Sequence, residues 1–363
     1  MNKYGDWRIT IFNRAGYPLA EVEPISFLCI WSINEQGTGE MILSTHYDPK
    51  CTRANLAVGN FVEFRHARLG DWVGVIIPHD GREGSGAGTI TVRMREATFQ
   101  FARRRAPIWD FENNQPRLVL RSGKAIDWII RQCNIKEDTR LRTGDVHNTR
   151  DMVYEALLDR MFSDIVDHII QRRRRKLYLW VTPSRDAHNC LIVNVNLVER
   201  KTLRDGDYIA LQEDINLETP RGTFWREDGE LVNDVVVRNE GDQEEELIRK
   251  WRTDEDSIGQ YGLWEGTDSI STDEESVVEW WAEEYLKLHA RLNQRPSLAI
   301  VEGEEQPDFY SQVRVGKVAR VLLHSQNSYY GDGGFDEMSQ LVMLEYETNI
   351  NKVIATPEFI PHE

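Results

Sequence analysis

Between residues 7 and about 105 the chain repeatedly alternates apolar and polar side chains over short runs, and this pattern constrains its fold more than any other feature. WRITIF (7–12), the segment near Phe27 to Ile33, FVEFRH (61–66), WVGVIIP (72–78) and TITVRM (89–94) all alternate. A period of two places successive side chains on opposite faces of a strand. Gly and Asn punctuate the runs at Asn34 to Gly39, at Gly59-Asn60 and at Gly81 to Gly88. Several short strands at near-regular spacing predict an antiparallel barrel or sandwich. At 363 residues the chain has room for two or three domains.

The period then changes. Ser122 stands where it can cap a helix carrying Ile126, Ile129, Ile130 and Cys133. From Thr149, the residues Val153, Leu157, Met161, Ile165 and Ile169 recur every four positions and predict a second helix with one buried stripe. It would end in Arg172 to Arg175, where cations suit the negative end of the helix dipole. Strands return in KLYLWVTP, CLIVNVNL, DYIALQ and LVNDVVVRNEG. Thr272 and Glu275 have capping-box spacing ahead of a third helix striped by Val277, Trp281, Leu288 and Leu292, which Pro296 would stop. VRVGKVARVLLHS and QLVMLEYETN form a last strand set around a Gly-rich loop at 331–334.

An internal echo runs across this layout. Leu56-Ala57-Val58-Gly59-Asn60-Phe61-Val62 near the start is matched by Val313-Arg314-Val315-Gly316-Lys317-Val318-Ala319 near the end. Hairpin grammar common to many Gly turns produces such an echo, and so does a duplication. A duplication gives two related small barrels flanking a helical insert.

Charge narrows the classes of partner. With 44 basic and 60 acidic residues the formal charge is −16, which argues against a general binder of nucleic acid or anionic membrane. From Glu240 to Asp308 there are 20 acids and 6 bases, so 6 − 20 = −14 lies in that stretch. Eleven Trp point toward buried cores and interface centres. Cys29, Cys51, Cys133 and Cys190 are widely spaced, as expected of reduced thiols rather than a disulfide frame or zinc site. No apolar run reaches membrane-span length and MNKYGDWRIT has no apolar signal core, so folding in a cytoplasm is expected.

Gly81, Gly84, Gly86 and Gly88 resemble a phosphate loop, but TITVR follows as a strand where phosphate binding needs a helix N-terminus. Arg103, Arg104, Arg105 and Arg172, Arg173, Arg174, Arg175 suit a helix end or intersubunit ion pairs better than nucleic acid. The acids at 242–246, 254–256 and 273–275 read as solvated faces, not as a glycosidase pair with one carboxyl in an apolar pocket. HYDP (46–49) and HDG (79–81) are turn chemistry, and Gly331 to Glu337 lacks the ligand spacing of an EF-hand loop. DEDSIGQYGLWEG (254–266) has acids, a serine and a tyrosine, yet no nearby His, Cys or Lys to complete a catalytic set.

The order of the segments carries a resemblance. Trp7-Arg-Ile-Thr-Ile-Phe-Asn-Arg-Ala-Gly16 leads to Leu19-Ala20-Glu21-Val22, followed by Leu56-Ala-Val-Gly59-Asn60-Phe-Val62 and by Arg104-Arg105. Later come Asp256-Ser257-Ile258-Gly259-Gln260-Tyr261-Gly262, a helix, Pro296 and the Val313-x-Val315-Gly316 strand. This order resembles siphophage tail hub proteins, a family shared with contractile-phage baseplate hubs and type VI secretion spike hub domains.

The resemblance implies an α+β, mainly β fold: two related small antiparallel β-barrels with an α/β insert between them. The first barrel would occupy 1–110 and the returning strands of the second 301–363. The insert would span 111–300, with helices near 122–133, 149–175 and 272–294 and with 190–240 also able to supply barrel strands. It further implies a non-enzymatic structural hub without cofactor or metal, a homotrimer whose pseudo-six-fold ring adapts the tail tube to a tip or spike. Its partners would be its own copies, a tail tube or distal tail protein, a spike, fibre or tip protein, the tape measure protein, and DNA only in transit. Its place would be the virion tail tip or baseplate, for host attachment and genome delivery, after assembly in the host cytoplasm. Gly59, Asn60, Ser257, Ile258, Tyr261, Gly262 and Gly316 become structural-motif residues, and within 254–266 Gly259 and Gly262 are expected to permit tight turns while Ile258, Tyr261 and Trp264 anchor the insert against the returning barrel. Many siphophage hubs continue into a long C-terminal extension; here the sequence stops at Glu363, so tip chemistry is expected on another chain. The acidic segment 240–308 is expected to line the ring lumen or to repel DNA there. The alternatives are a tail-tip hydrolase using carboxylates around Asp254 to Asp256, and a receptor- or carbohydrate-binding β module.

Overall fold

The computed structural model describes residues 7–44, 50–78, 88–107, 117–147, 153–157, 160–171, 177–199, 208–213, 215–218, 225–228, 231–239, 247–270, 274–290, 293–296, 298–301, 308–323, 335–348 and 352–359. In chain order they form β1 (Trp7–Phe12), β2 (Pro18–Val22), β3 (Ser26–Ser32), β4 (Thr38–Ser44), β5 (Phe61–His66), β6 (Gly70–Ile76), β7 (Thr89–Glu96) and a single helical turn, α1 (Phe99–Ala102). Then follow β8 (Arg117–Arg121), α2 (Ser122–Lys136), β9 (Leu141–Val146), β10 (Val153–Leu157), α3 (Phe162–Gln171), β11 (Leu177–Arg185), β12 (Leu191–Glu199) and β13 (Ile209–Gln212). The next group is β14 (Trp225–Asp228), β15 (Asp234–Asn239), β16 (Arg249–Thr253), α4 (Glu255–Tyr261), β17 (Glu265–Ile270), α5 (Glu275–His289) and β18 (Asn293–Pro296). The last strands are β19 (Leu298–Ile300), β20 (Val318–Leu323), β21 (Phe335–Glu347) and β22 (Lys352–Phe359). The fold is mainly β, as expected. Two compact units result, Met1–Thr223 with Ser297–Glu363, and Phe224–Pro296.

The first unit is organised by a twelve-stranded sheet with the order β13-β20-β21-β3-β4-β7-β6-β5-β1-β2, with β22 beside β21 and β19 beside β22. All its pairs are antiparallel except β13 with β20. The strands that open and close the chain meet in one sheet, because β3 pairs with β21 from Leu28↔Glu347 to Ser32↔Met343. The alternation read from the sequence is the burial pattern of β1, where Ile9 and Ile11 are fully buried while Arg8 is exposed, whereas β5 and β6 are buried on both faces along most of their length. Trp72 is 1% exposed, and its ring fills the space a Cβ on Gly39 would need, 2.6 Å from the indole edge.

A second layer covers part of that sheet. Strands β11, β12 and β9 form a three-stranded sheet, β10 pairs with β8, and α2 and α3 pack with both. Ile126, Ile129 and Cys133 of α2 and Phe162, Ile165 and Ile169 of α3 share one apolar core with Leu177, Leu191, Val193 and Val195, and with Phe12, Phe61 and Val75 of the large sheet. Each such buried side chain contributes about 1.5–3 kcal/mol of transfer free energy.

The helical expectations need correction. The four-residue spacing over 149–175 belongs to two elements: Val153–Leu157 is a strand paired rung by rung with Arg117–Arg121, and the helix starts only at Phe162. A spacing of four suits one strand face and one helix face alike, and pairing with β8 decides between them. Ser122 does not cap α2; it is the first helical residue, and its hydroxyl donates to the His147 carbonyl. The helix expected over 272–294 spans Glu275–His289 and ends before Pro296, which lies in β18. Trp281 of the expected stripe is buried, together with Val278, Ala282 and Leu286, while Val277 is only half-buried; Thr272 and Leu292 lie outside the described residues.

The second unit is small. Strands β16, β15 and β17 form a sheet in that order, β15 and β17 parallel, and β14 pairs with β18. Helix α5 covers the sheet face carrying Val235 and Val237. The opposite rows of β16 and α5 are joined by ions: Lys250 bonds Glu275, and Arg252 bonds Glu279 and Glu283.

Candidate functional site

DEDSIGQYGLWEG forms a junction within the second unit. Asp254 occupies the N-cap of α4, its carboxylate accepting the Ser257 N–H at 2.9 Å, and Glu255 and Asp256 sit in the exposed first turn. Acids there satisfy free N–H groups and the positive end of the helix dipole. At the other end the Gly262 N–H bonds the Ile258 carbonyl at 2.9 Å, and Gly262 has φ +81°, a left-handed conformation that favours glycine. The acids are therefore helix-capping equipment.

Asn233 organises the junction, and the sequence reading passed over it. It is fully buried. Its amide nitrogen donates to the Gly262 carbonyl at 2.7 Å and the Ser257 hydroxyl at 3.2 Å, and its amide oxygen accepts the Trp264 N–H at 2.7 Å. Its own N–H bonds the Trp264 carbonyl, and its carbonyl accepts the Asp254 N–H. Ser257, 2% exposed, also donates to the Ala290 carbonyl at the end of α5. One asparagine thus fixes both ends of α4 to β15, and Ser257 ties that knot to α5. An Asn ahead of a valine-rich run reads as a turn residue, but only its burial would have marked it as a hub.

The other motif residues divide. Ile258 and Tyr261 are half-buried, whereas Trp264, expected to anchor, is 52% exposed. Gly259 lies inside α4 with open space around it, so no turn uses its freedom.

The echoed segments share one backbone design. The Asn60 N–H bonds the Ala57 carbonyl at 3.1 Å, and the Lys317 N–H bonds the Arg314 carbonyl at the same distance. Gly59 and Gly316 occupy the third turn position with φ +91° and +84°. Each glycine N–H then bonds a carbonyl of the following strand segment, Ile76 or Leu341, whose own N–H returns to the carbonyl of Asn60 or Lys317. The Asn60 side chain adds bonds to the Ala54 and Asn55 carbonyls.

The arginine runs behave separately. Arg104 pairs with Glu137 of its own chain at 2.6 Å, so its charge is met internally. Arg103 and Arg105 are exposed, and Arg103 reaches Gln100 at 3.5 Å. Partial desolvation holds the Arg103 guanidinium below its usual pKa, with the neighbouring Arg104 charge adding to the effect. Arg172 to Arg175 lie outside the described residues, as do 242–246, the two His turns and most of both Gly-rich loops.

A groove of about 450 Å³ runs beside β2. On its floor the Glu63 carboxylate, 1% exposed, accepts Arg185 at 2.5 Å and Arg65 at 3.1 Å, while Arg185 lies over the Phe12 ring at 4.7 Å. Arg8, paired with Glu21 at 3.1 Å, forms a rim. The arginines of the groove are thus met by its own carboxylates. Among the described residues no group of three or more His, Cys, Asp or Glu could hold a metal ion, and no helix is long and apolar enough to cross a membrane.

No family model matches the sequence, and a search of curated proteins finds no match. Solved structures do match. A tail protein from Neisseria meningitidis MC58 aligns over 97% of this chain and 96% of its own, with a TM-score of 0.61 at 10% identity. The tail protein of prophage MuSo2 from Shewanella oneidensis aligns over 97% and 98%, with a TM-score of 0.58 at 12% identity. Prophage tail protein gp18 from Listeria monocytogenes EGD-e aligns over 97% and 94%, with a TM-score of 0.52 at 11% identity. At such identities the likeness is one of architecture, and it extends end to end: this chain has the fold of these tail proteins.

Proposed function

We propose that this protein is a non-enzymatic structural hub of a phage tail or a phage-derived injection machine, a trimer whose ring joins the tail tube to the tail tip. The observation that carries this reading is the end-to-end likeness to tail proteins, at a TM-score of 0.61 over 97% of the chain. The repeated turn at Gly59 and Gly316 supports its second element, two related β-barrels per subunit, at 1–110 and 301–363 with an insert between. Three copies of two related units present six similar surfaces, which is how a three-fold object docks on a six-fold tube. Tail tube, distal tail, tip and tape measure proteins are the partners this role requires, and DNA passes through without being read. The net charge of −16 suits a conduit that must not retain DNA.

Light scattering on the purified chain tests the assembly. A particle of three times 42.2 kDa is expected, and an image of it should show a ring. A monomer at every accessible concentration, or label on this chain at the head rather than the distal tail of virions, overturns the reading. Cell-wall hydrolysis by the purified chain, lost on Asp256→Ala, would return the carboxylate alternative.

A further inference from the structure

The β16-β15-β17 sheet of the second unit has one face covered by α5 and one face open. On the α5 side, Lys250 and Arg252 of β16 are met by Glu275, Glu279 and Glu283. The alternate residues of the same strands form the open face: Asp234, Val236 and Arg238 of β15, with Trp251 and Arg249 of β16 opposite the last two.

Two observations mark this face. Arg238 and Arg249 are register partners, both exposed, so two cations stand side by side. Neither guanidinium has a hydrogen bond or an ion pair among the described residues. Like charges directly opposite one another destabilise a sheet, and the other two cations of these three strands are neutralised on the α5 side. An anion seated between the two guanidinium forks removes the repulsion, and a carboxylate has the matching planar shape.

The second observation is Trp251, 63% exposed. It shares the face with Arg249, two residues along the strand and about 7 Å away. Its ring nitrogen donates to the Asp234 carboxylate, which holds the indole in one pose. An exposed ring fixed in this way offers an apolar platform at little ordering cost on binding.

We infer that this face binds an acidic sugar, one pyranose ring stacked on Trp251 and a carboxylate between Arg238 and Arg249. A pyranose has an apolar C–H face and a rim of hydroxyls that both donate and accept. The indole matches the first. Thr267 and Ser269 of β17, exposed beside Val236 and Arg238, match the second. Denser anions do not fit. Asp234 and Glu265 pair at the far end of the face, and the sequence joining β15 to β16 has five acids from Glu240 to Glu246. Nucleic acid, whose binding needs several phosphates neutralised, is therefore disfavoured. A protein partner needs a cluster of apolar anchors, and this face has one ring and a half-buried valine. The inference concerns the second unit alone and does not depend on the ring reading.

Calorimetric titration of the intact chain tests it. The probes are 3′-sialyllactose and digalacturonate as acidic sugars, lactose as a neutral one, and an oligothymidylate as nucleic acid. At least one acidic sugar should bind, about tenfold or more tighter than lactose. Arg238→Thr and Arg249→Thr should each remove that preference, while the denaturation midpoint holds or rises because the repulsion is gone. Trp251→Ala should weaken binding of the acidic sugar and of lactose together. Should a Thr variant unfold, Arg249→Gln drops the charge, keeps most of the side-chain length and gives the same readout. The inference is overturned if neither acidic sugar binds at millimolar concentration, if the arginine variants bind like the wild type, or if the oligothymidylate binds more tightly than the sugars.

Discussion

The unit built on the twelve-stranded sheet and the unit Phe224–Pro296 bury themselves by different means. The first encloses a large apolar core in which Phe12, Phe61, Ile126, Phe162, Leu177 and Val193 meet. The second has a short apolar list, centred on Val235, Val237, Val278 and Trp281, and adds to it a buried asparagine with five hydrogen bonds and a row of ion pairs from β16 to α5. Small units bury a smaller share of their surface, so directed polar bonds matter more to them. Such bonds also specify one geometry, whereas apolar packing tolerates repacking.

This contrast can be broken in order of size. Trp72→Ala should have the largest effect, about 3–5 kcal/mol, because it empties a site that Gly39 and Gly74 keep open for the ring. Denaturant unfolding followed by hydrogen exchange should show the loss in the sheet strands. Asn233→Ala should cost about 3 kcal/mol, since it strands the Gly262 carbonyl and the Trp264 N–H. Its exchange protection should fall in 231–290 and not in β1 to β7; equal loss in both units would erase the distinction. The two echoed turns come next. Gly59→Ala should cost about 2 kcal/mol and Gly316→Ala about 1 kcal/mol, both through positive φ. The difference arises because a Cβ at 59 meets the Arg14 guanidinium at 2.8 Å, while one at 316 finds nothing nearer than 3.8 Å.

The smallest effect at constant pH is at Glu96, yet it gives the clearest pH signature. Burial pushes this carboxyl well above the ordinary carboxylate range, against a weaker opposing bond from the Gly37 backbone. A raised folded-state pKa means that stability is fully present below the unfolded value, about 4.3, and is lost as pH rises through the folded value. Glu96→Gln should flatten that decline in a series of denaturation midpoints, and an unchanged slope would count against it. In the opposite direction, Arg142 holds Asp138 down to about 2, so its contribution is present above the ordinary Asp value and fades only as pH falls toward that figure.

Much of the fold was legible because strand alternation is a local property. WRITIF, FVEFRH and TITVRM each became a strand, and the Gly59 and Gly316 turns share their bonding as well as their letters. What was hidden depends on partners far off in sequence. Val153–Leu157 is a strand because Arg117–Arg121 pairs with it, and nothing within 149–175 encodes that. Trp264 looked like an anchor by residue type, but type does not distinguish a ring turned inward from one held outward by the Tyr261 carbonyl. Asn233 itself was invisible because its role lies in the five groups around it.

The pairing of β3 with β21 has a consequence for how the molecule is made. Phe27 and Thr348 exchange bonds across 321 positions, the Phe27 N–H to the threonine hydroxyl and the Thr348 N–H to the Phe27 carbonyl, both at 3.0 Å. Synthesis runs from the N-terminus, so β1 to β7 can pair with one another long before β21 leaves the ribosome. Throughout that interval one edge of β3 waits with its backbone groups unmatched, an adhesive margin for any other nascent chain. The sheet is a seam sewn last, and a chain interrupted before residue 335 should be lost to aggregation rather than survive as a half-sized subunit.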